Sequence, residues 1–213
     1  MLQKTLVPGA VAITGALLAR RRFRQWGSTP SEMAATLPGD ELISGPADNI
    51  TRAVTINTSI AEVWRWLVQI GCGRGGMYSY DWLENLGGLG IHSTNEIHDG
   101  WQRLATGDRI VLVPAGWMGM KEGYSVPVAR VDRDRALVLR QSPPEHQWNA
   151  VWSFVIVPNG PKSCRLLSRS RTERRPGIRG LLMRLATEAM DPATMVMTRK
   201  MLLGVKQRAE SRR

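Results

Sequence analysis

The residues able to do chemistry are few and dispersed. His92, His98 and His146 are the only imidazoles, and Cys72 and Cys164 the only thiols. His92 and His98 stand six residues apart with Glu96 between them. A helical metal pair needs ligands one turn apart, and no third ligand is evident, so no metal site is read here. The cysteines lie outside any C-x-x-C spacing and read as two small buried thiols of a reducing compartment, with one bridge between them as the alternative. Gly71-Cys72-Gly73-Arg74-Gly75-Gly76 matches G-x-G-x-x-G letter for letter. That fingerprint works when a strand precedes it and a helix follows, so that a pyrophosphate meets the helix N-terminus. Here a helical pattern precedes it and the aromatic run Met77–Trp82 follows, so a turn between two helices is expected. General acid–base work needs a titratable group facing a cavity. Tyr78, Asp81, Glu84, His92 and His146 are the candidates, and their spacing forms no nucleophile–base–orienter set. No cofactor is expected.

The elements that would position these groups follow from periodicity. Ser28–Ala35 reads as a short helix capped by Ser28 or Thr29, inside a lead-in punctuated by Pro30, Pro38-Gly39-Asp40 and Gly45-Pro46. Thr51–Asn57 alternates polar with apolar and is read as a strand. Ser59-Ile60-Ala61-Glu62 is a capping-box sequence, and Ile60, Val63, Trp64, Leu67 and Val68 then fall on one helical face. Trp66 lies off that stripe and is expected to be half exposed or covered by another element. A short helix is expected over Asp81–Leu89, ended by Gly87-Gly88. From Arg109 to about Arg171 the chain reads as strands and turns: Arg109–Val113, Tyr124–Val131, Ala136–Arg140, Trp148–Val157 and Ser163–Arg171. Pro127 inside the second of these predicts an edge position or a bulge. Successive hairpins form an antiparallel meander, because parallel pairs need long crossovers. Two helical runs close the chain, Ile178–Met190 and then a helix to about Glu210 that starts on Asp191-Pro192 as N-cap and first-turn proline.

A chain of 213 residues fits one domain with extra segments, and 43% hydrophobic with 22% charged residues excludes wholesale disorder. The net charge of +11 is mostly arginine, concentrated at Arg20–Arg24 and beyond Arg165. Such a balance fits nucleic acid, an anionic membrane surface, or an arginine-rich proteome with no partner. No helix-turn-helix, zinc finger or RNP motif accompanies it, which makes nucleic acid the weakest of the three. Thr5–Ala19 is uncharged and is followed at once by arginines. It falls short of the roughly 20 residues that span a bilayer core, and its charge follows the apolar run, unlike that of a signal peptide. Two readings stay open: a marginal anchor that holds the domain on the cytoplasmic face of the membrane, or a helix packed on the domain. The organisation expected is an N-terminal segment 1–25, a lead-in 26–49 and a domain 50–213.

The order strand, helix, short helix, meander, long helix resembles the helix-grip architecture of START lipid-transfer domains, aromatic polyketide cyclases and pollen-allergen-like plant proteins, the SRPBCC superfamily. The stretch Arg74-Gly-Gly-Met-Tyr-Ser-Tyr-Asp-Trp-Leu-Glu-Asn-Leu86 is similar to that of a bacterial branch. So are Trp26-Gly-Ser-Thr-Pro30, Pro38-Gly-Asp40 and Met201-Leu-Leu-Gly-Val-Lys206. The resemblance spans about residues 26–210 and is most specific over 62–92. It implies an α+β fold, a curved antiparallel sheet wrapped around the long C-terminal helix, with a cavity for a small hydrophobic ligand between them. It supplies no catalytic residues. Tyr78, Tyr80, Trp82, His92, Trp101, Trp117, Trp148 and Trp152 are the expected ligand-binding residues, the aromatic ones because each joins apolar surface to a polar tip. Trp148 and Trp152 are expected on one strand face, and Trp117-Met118-Gly119-Met120 reads as a loop over the core or a lid. The function expected is binding or transfer of a lipid, isoprenoid or polyketide-like molecule near the cytoplasmic membrane surface. A cyclase- or dehydratase-like enzyme and a membrane-tethered interaction module are the alternatives.

Overall fold

Six antiparallel strands form one sheet in the order β1-β6-β5-β4-β3-β2: β1 (Pro46–Ile56), β2 (Arg109–Val113), β3 (Tyr124–Asp132), β4 (Ala136–Gln141), β5 (Ala150–Pro158) and β6 (Cys164–Glu173). Among the described residues, the α-helices from Pro30 onward are α1 (Pro30–Ala34), α2 (Ile60–Val68), α3 (Asp81–Leu86) and the long α4 (Gly177–Ser211). This computed structural model describes Arg20 and residues 22–211, apart from the side chain of Arg179. The apolar run over residues 5–19, read as an anchor or a packed helix, lies outside the described residues. The architecture is the helix grip, α+β, as expected.

Strand alternation divides the sheet into two covered faces. On the concave face Val54, Ile56, Leu137, Leu139, Phe154, Ile156 and Leu166 meet Val63 and Leu67 of α2 and Met201, Leu202 and Val205 of α4 in one buried cluster. Side chains one residue out of phase face the other way, where Ala53, Ala136, Val155 and Leu167 pack on Leu37, and Val138 and Val151 on Ile43. The lead-in is therefore a strap across the convex face. Its α1 carries a complete capping box: Thr29 Oγ1 accepts the Glu32 N–H, and the Glu32 carboxylate accepts the Thr29 N–H. Two arginines, one half-buried and one buried, tie the strap down. Arg165 grips the Glu32 carboxylate at 2.7 Å through two nitrogens, and Arg169 donates to Asp40 at 2.6 Å and to the carbonyls of Glu32, Met33 and Ala35. Gly27 lies so close to β1 that a Cβ there would stand 2.1 Å from the Ala53 carbonyl oxygen. Part of the arginine excess is thus internal framework.

Ser59 caps α2 by accepting the Glu62 N–H at 3.2 Å. The Glu62 carboxylate turns to the Trp66 indole N–H instead of back to the cap. Trp66 is buried, its ring edge-on to Tyr78 at 6.0 Å, so another element covers it. The glycine-rich run is a turn: Gly71 and Gly76 exchange backbone hydrogen bonds, and the Cys72 N–H donates to the Val111 carbonyl. That turn docks on β2, the outer strand of the sheet, and so occupies an edge that would otherwise be open.

Three expectations need correction. First, the C-terminal helical runs are one helix with Pro192 inside it. Asp191 does not cap; its carboxylate receives Arg24 Nε at 2.6 Å, while Arg24 Nη2 reaches Asp48 on β1. The helix is pinned to the sheet at the point where proline removes an i→i−4 bond. Second, β5 begins at Ala150, so Trp148 lies before the strand and shares no face with Trp152. The third correction is partial: of the two alternatives for Pro127 the edge is not observed, since β3 is an inner strand, but the register with β4 starts only at Val128 and shifts, as at a bulge, before Arg130. Pro127 therefore sits just outside that ladder, where no N–H is required.

Candidate functional site

The concave face is filled at one end and hollow at the other, and side-chain volume explains why. Along β6 the inward row runs Cys164, Leu166, Ser168, Ser170, so bulk disappears after Leu166. Opposite, α4 presents Thr194 and Thr198 one turn apart. A cavity of about 360 Å³ remains between them. Two registered rows floor it. Leu139, Trp152, Ser170 and Ile50 lie abreast on β4, β5, β6 and β1, and in the next row Ser168 and Arg52 reach the lining while their neighbours Leu137 and Phe154 belong to the packed core. Met197 and Met201 of α4 and Met77 before α3 line other parts of the wall.

Two buried ionisable groups line this cavity. Arg52 is 3% exposed; its Nε donates to the Phe23 carbonyl at 2.8 Å and its Nη1 to Thr198 Oγ1 at 3.3 Å. Its Nη2 has no hydrogen-bond partner among the described residues. Burial pushes the guanidinium down to about 10, with Asp191 opposing that shift and Arg24 adding to it, so Arg52 stays charged at neutral pH. Glu84 is 8% exposed and its Oε2 is likewise unpartnered. Burial, and then the neighbouring Asp81 charge, raise its carboxyl above the ordinary value.

Of the eight expected ligand-binding residues, Trp152 alone is in the cavity wall, its indole N–H donating to Ser168 Oγ at 2.8 Å. Tyr78 is buried in the core, its Oη between the Gln69 amide and the Trp66 carbonyl, and burial pushes its phenol up to about 12. Tyr80 opens α3, with Lys200 over its ring at 5.5 Å. Trp82 is 64% exposed and His92 is exposed in its loop. Trp101 stacks on His98, Trp117 donates to the Gly87 carbonyl, and Trp148 is partly exposed outside the sheet. The aromatic side chains thus do not gather around one pocket. Tyr78 packs edge-on against Trp66, Tyr80 and Trp82 against each other, Trp101 against His98, and Trp117 donates to a backbone carbonyl. Aliphatic side chains, methionines, serines, threonines and Arg52 make up most of the rest of the lining. One sequence signal pointed there: Arg52 shares the alternation of Ile50, Val54 and Ile56, a charge within an apolar row.

No protein-family model matches the sequence, and no curated protein matches it. Among solved structures, a structural-genomics protein from Mesorhizobium loti is similar at 15% identity over 78% of this chain and 99% of that one, with a TM-score of 0.42. Norcoclaurine synthase from Thalictrum flavum, in complex with dopamine and hydroxybenzaldehyde, is similar at 14% identity over 84% and 96%, with a TM-score of 0.44. A solution structure from Thermobifida fusca stands at 15% over 76% and 92%, with a TM-score of 0.46. Likeness at this level carries no argument about the site; the strand order, the register and the long helix themselves define the fold as a helix grip.

Proposed function

We propose that this domain, a helix-grip member of the SRPBCC kind, binds or transfers a small hydrophobic molecule, a lipid, isoprenoid or polyketide-like compound, in the cavity between the sheet and α4. The observation that carries this reading is the hollow itself. This cavity of about 360 Å³, partly open to solvent, is walled mainly by Met77, Leu112, Val126, Leu139, Trp152 and Met197. Its volume suits a small ligand. Trp152 is the residue of the aromatic set proposed to touch it.

The proposal extends to a membrane surface as the place of exchange. Ile178, Leu181, Leu182 and Leu185 form an exposed stripe at helical spacing on the first half of α4. The exposed Arg174 and Arg184 flank it, and Arg20, the exit of the arginine-rich N-terminal segment, pairs with Glu188 on the same stretch. Apolar side chains with flanking arginines suit an anionic lipid surface. Among the described residues no helix is long and apolar enough to cross a membrane. A second reading, a cyclase- or dehydratase-like enzyme, draws support from Glu84 alone. Of the five acid–base candidates it is the one in the cavity wall, with a raised carboxyl that could hand over a proton.

Native mass spectrometry of the full chain purified from its own host, with organic extraction, tests the binding reading. A co-purifying apolar molecule of defined mass is expected. A protein that arrives empty and takes up neither lipids nor aromatic polyketides would overturn it.

A further inference from the structure

The lining of the cavity is not uniform. Its polar groups collect around Arg52. Ser168 is the cross-strand partner of Arg52, Ser170 is the next inward residue on β6, Thr198 receives the Arg52 Nη1 bond, and Thr194 lies one turn before it on α4. The apolar groups Leu112, Val126, Leu139 and Met77 occupy the remainder of the wall. Such a cavity has a polar corner and an oily body.

The guanidinium in that corner is positioned yet incompletely used. Two of its nitrogens are held by neutral oxygens, the Phe23 carbonyl and the Thr198 hydroxyl, and Nη2 bonds to nothing among the described residues. The nearest carboxylates do not relieve it, because Arg24 takes both, Asp48 at 2.5 Å and Asp191 at 2.6 Å. A buried charge without a hydrogen-bonded counter-ion is unfavourable, and an N–H left unmade inside a protein forfeits its full desolvation energy. An oxyanion entering the corner supplies the missing counter-charge, and a guanidinium is the side chain best shaped to receive one.

Resting on the cavity-binding reading above, we propose that the ligand is an amphipathic oxyanion, with a carboxylate or phosphate head on an apolar body, and that Arg52 is the head-group anchor. Ser168, Ser170 and Thr194 offer hydroxyls to the second oxygen or to bridging water, while the chain or ring system of the ligand lies against the methionines and Leu139.

Isothermal titration calorimetry on the full chain at pH 8, with decanoic acid, decyl phosphate and decanol as probes, separates the possibilities. The two anions are expected to bind at least about tenfold more tightly than decanol, as a charge-assisted hydrogen bond to a buried guanidinium implies. Which anion binds better tells a carboxylate head from a phosphate head. Arg52→Gln is expected to abolish the advantage of the anions over decanol, and Arg52→Lys to keep part of it. Decanol binding as tightly as the anions overturns the head-group assignment and leaves the cavity reading standing. An anion advantage that survives in folded Arg52→Gln overturns the role of Arg52. Should that variant fail to fold, Arg52→Met, which keeps side-chain volume without charge, takes its place. Binding of none of the three probes sinks both this proposal and the cavity reading for single-chain amphiphiles.

Discussion

Replacing Arg169 by methionine tests whether the convex-face strap is held by the charge network described above. Arg169 is 1% exposed and makes five hydrogen bonds, to Asp40, Thr51 and the carbonyls of Glu32, Met33 and Ala35. Methionine fills much of the same volume, so the cavity term is small and the loss is mostly polar. Breaking a buried ion pair by removing one partner costs about 3–5 kcal/mol. The lower end applies here, because Asp40 keeps the Leu37 N–H at 3.0 Å and Arg171 Nη1 at 3.0 Å. A loss of about 3 kcal/mol in a domain of this size corresponds to a drop of about 6–12 °C in Tm. Differential scanning calorimetry reads that directly. Ligand binding by the folded variant is expected to be unchanged, since the strap and the cavity lie on opposite faces of the sheet. A drop smaller than about 2 °C would falsify the claim that the Arg169 hydrogen bonds help to hold the strap.

Glu84 gives a pH signature. Its folded pKa lies above its ordinary value of 4.5, so the native state holds a proton the unfolded chain releases, and stability falls as pH rises from 4.5 through the folded pKa. Glu84→Gln removes that slope: its Tm should match the parent below pH 4.5 and exceed it above, whereas parallel Tm profiles would contradict the shift. The membrane reading predicts that Leu181→Asp with Leu185→Asp weakens sedimentation with anionic phosphatidylglycerol vesicles at least about tenfold; unchanged binding would locate the contact elsewhere. The cysteines are both free, Cys72 half-buried and raised by burial, Cys164 buried and pushed up to about 11 by the same cause. A thiol reagent at pH 8 should modify Cys72 first and Cys164 only as fast as the domain unfolds; a single rate for both would count against this.

The frame was readable because it obeys periodic rules. The alternation in β1, the Ser59 cap and the hairpin turns each depend on a residue and its near neighbours, and the structure follows them to within a few positions. The motifs that carry the family resemblance prove to be joints of that frame. Gly204 lets α4 approach so closely that a Cβ would stand 2.1 Å from the Tyr78 carbonyl oxygen, and Gly39 sits against Val138 and Val151. Tyr78 itself is a core residue tied to Trp66 and Gln69. The cavity was less legible, because it is defined by missing bulk rather than by a chemical signature. Serines 168 and 170 look unremarkable in a strand, and only the register that sets Ser168 beside Arg52 gives them meaning. The single C-terminal helix escaped for a related reason. Asp191-Pro192 has the local form of a helix start, and the distant Arg24 overrides it.

The strand order also bears on how the chain comes to be folded. β1 is made early, yet its partner in the sheet is the last strand, with Pro46 opposite Glu173 and Ile56 opposite Cys164. Strands β2 to β6 can zip together as neighbouring hairpins, a fast and local process. The first strand must wait, unpaired, until β6 has left the ribosome, and α4 can dock only after that. An exposed strand edge is open to association with other chains. During synthesis β1 is therefore the segment in most need of a chaperone, and the cavity, with Arg52 on β1 and Thr198 on α4, is the last part of the molecule to exist.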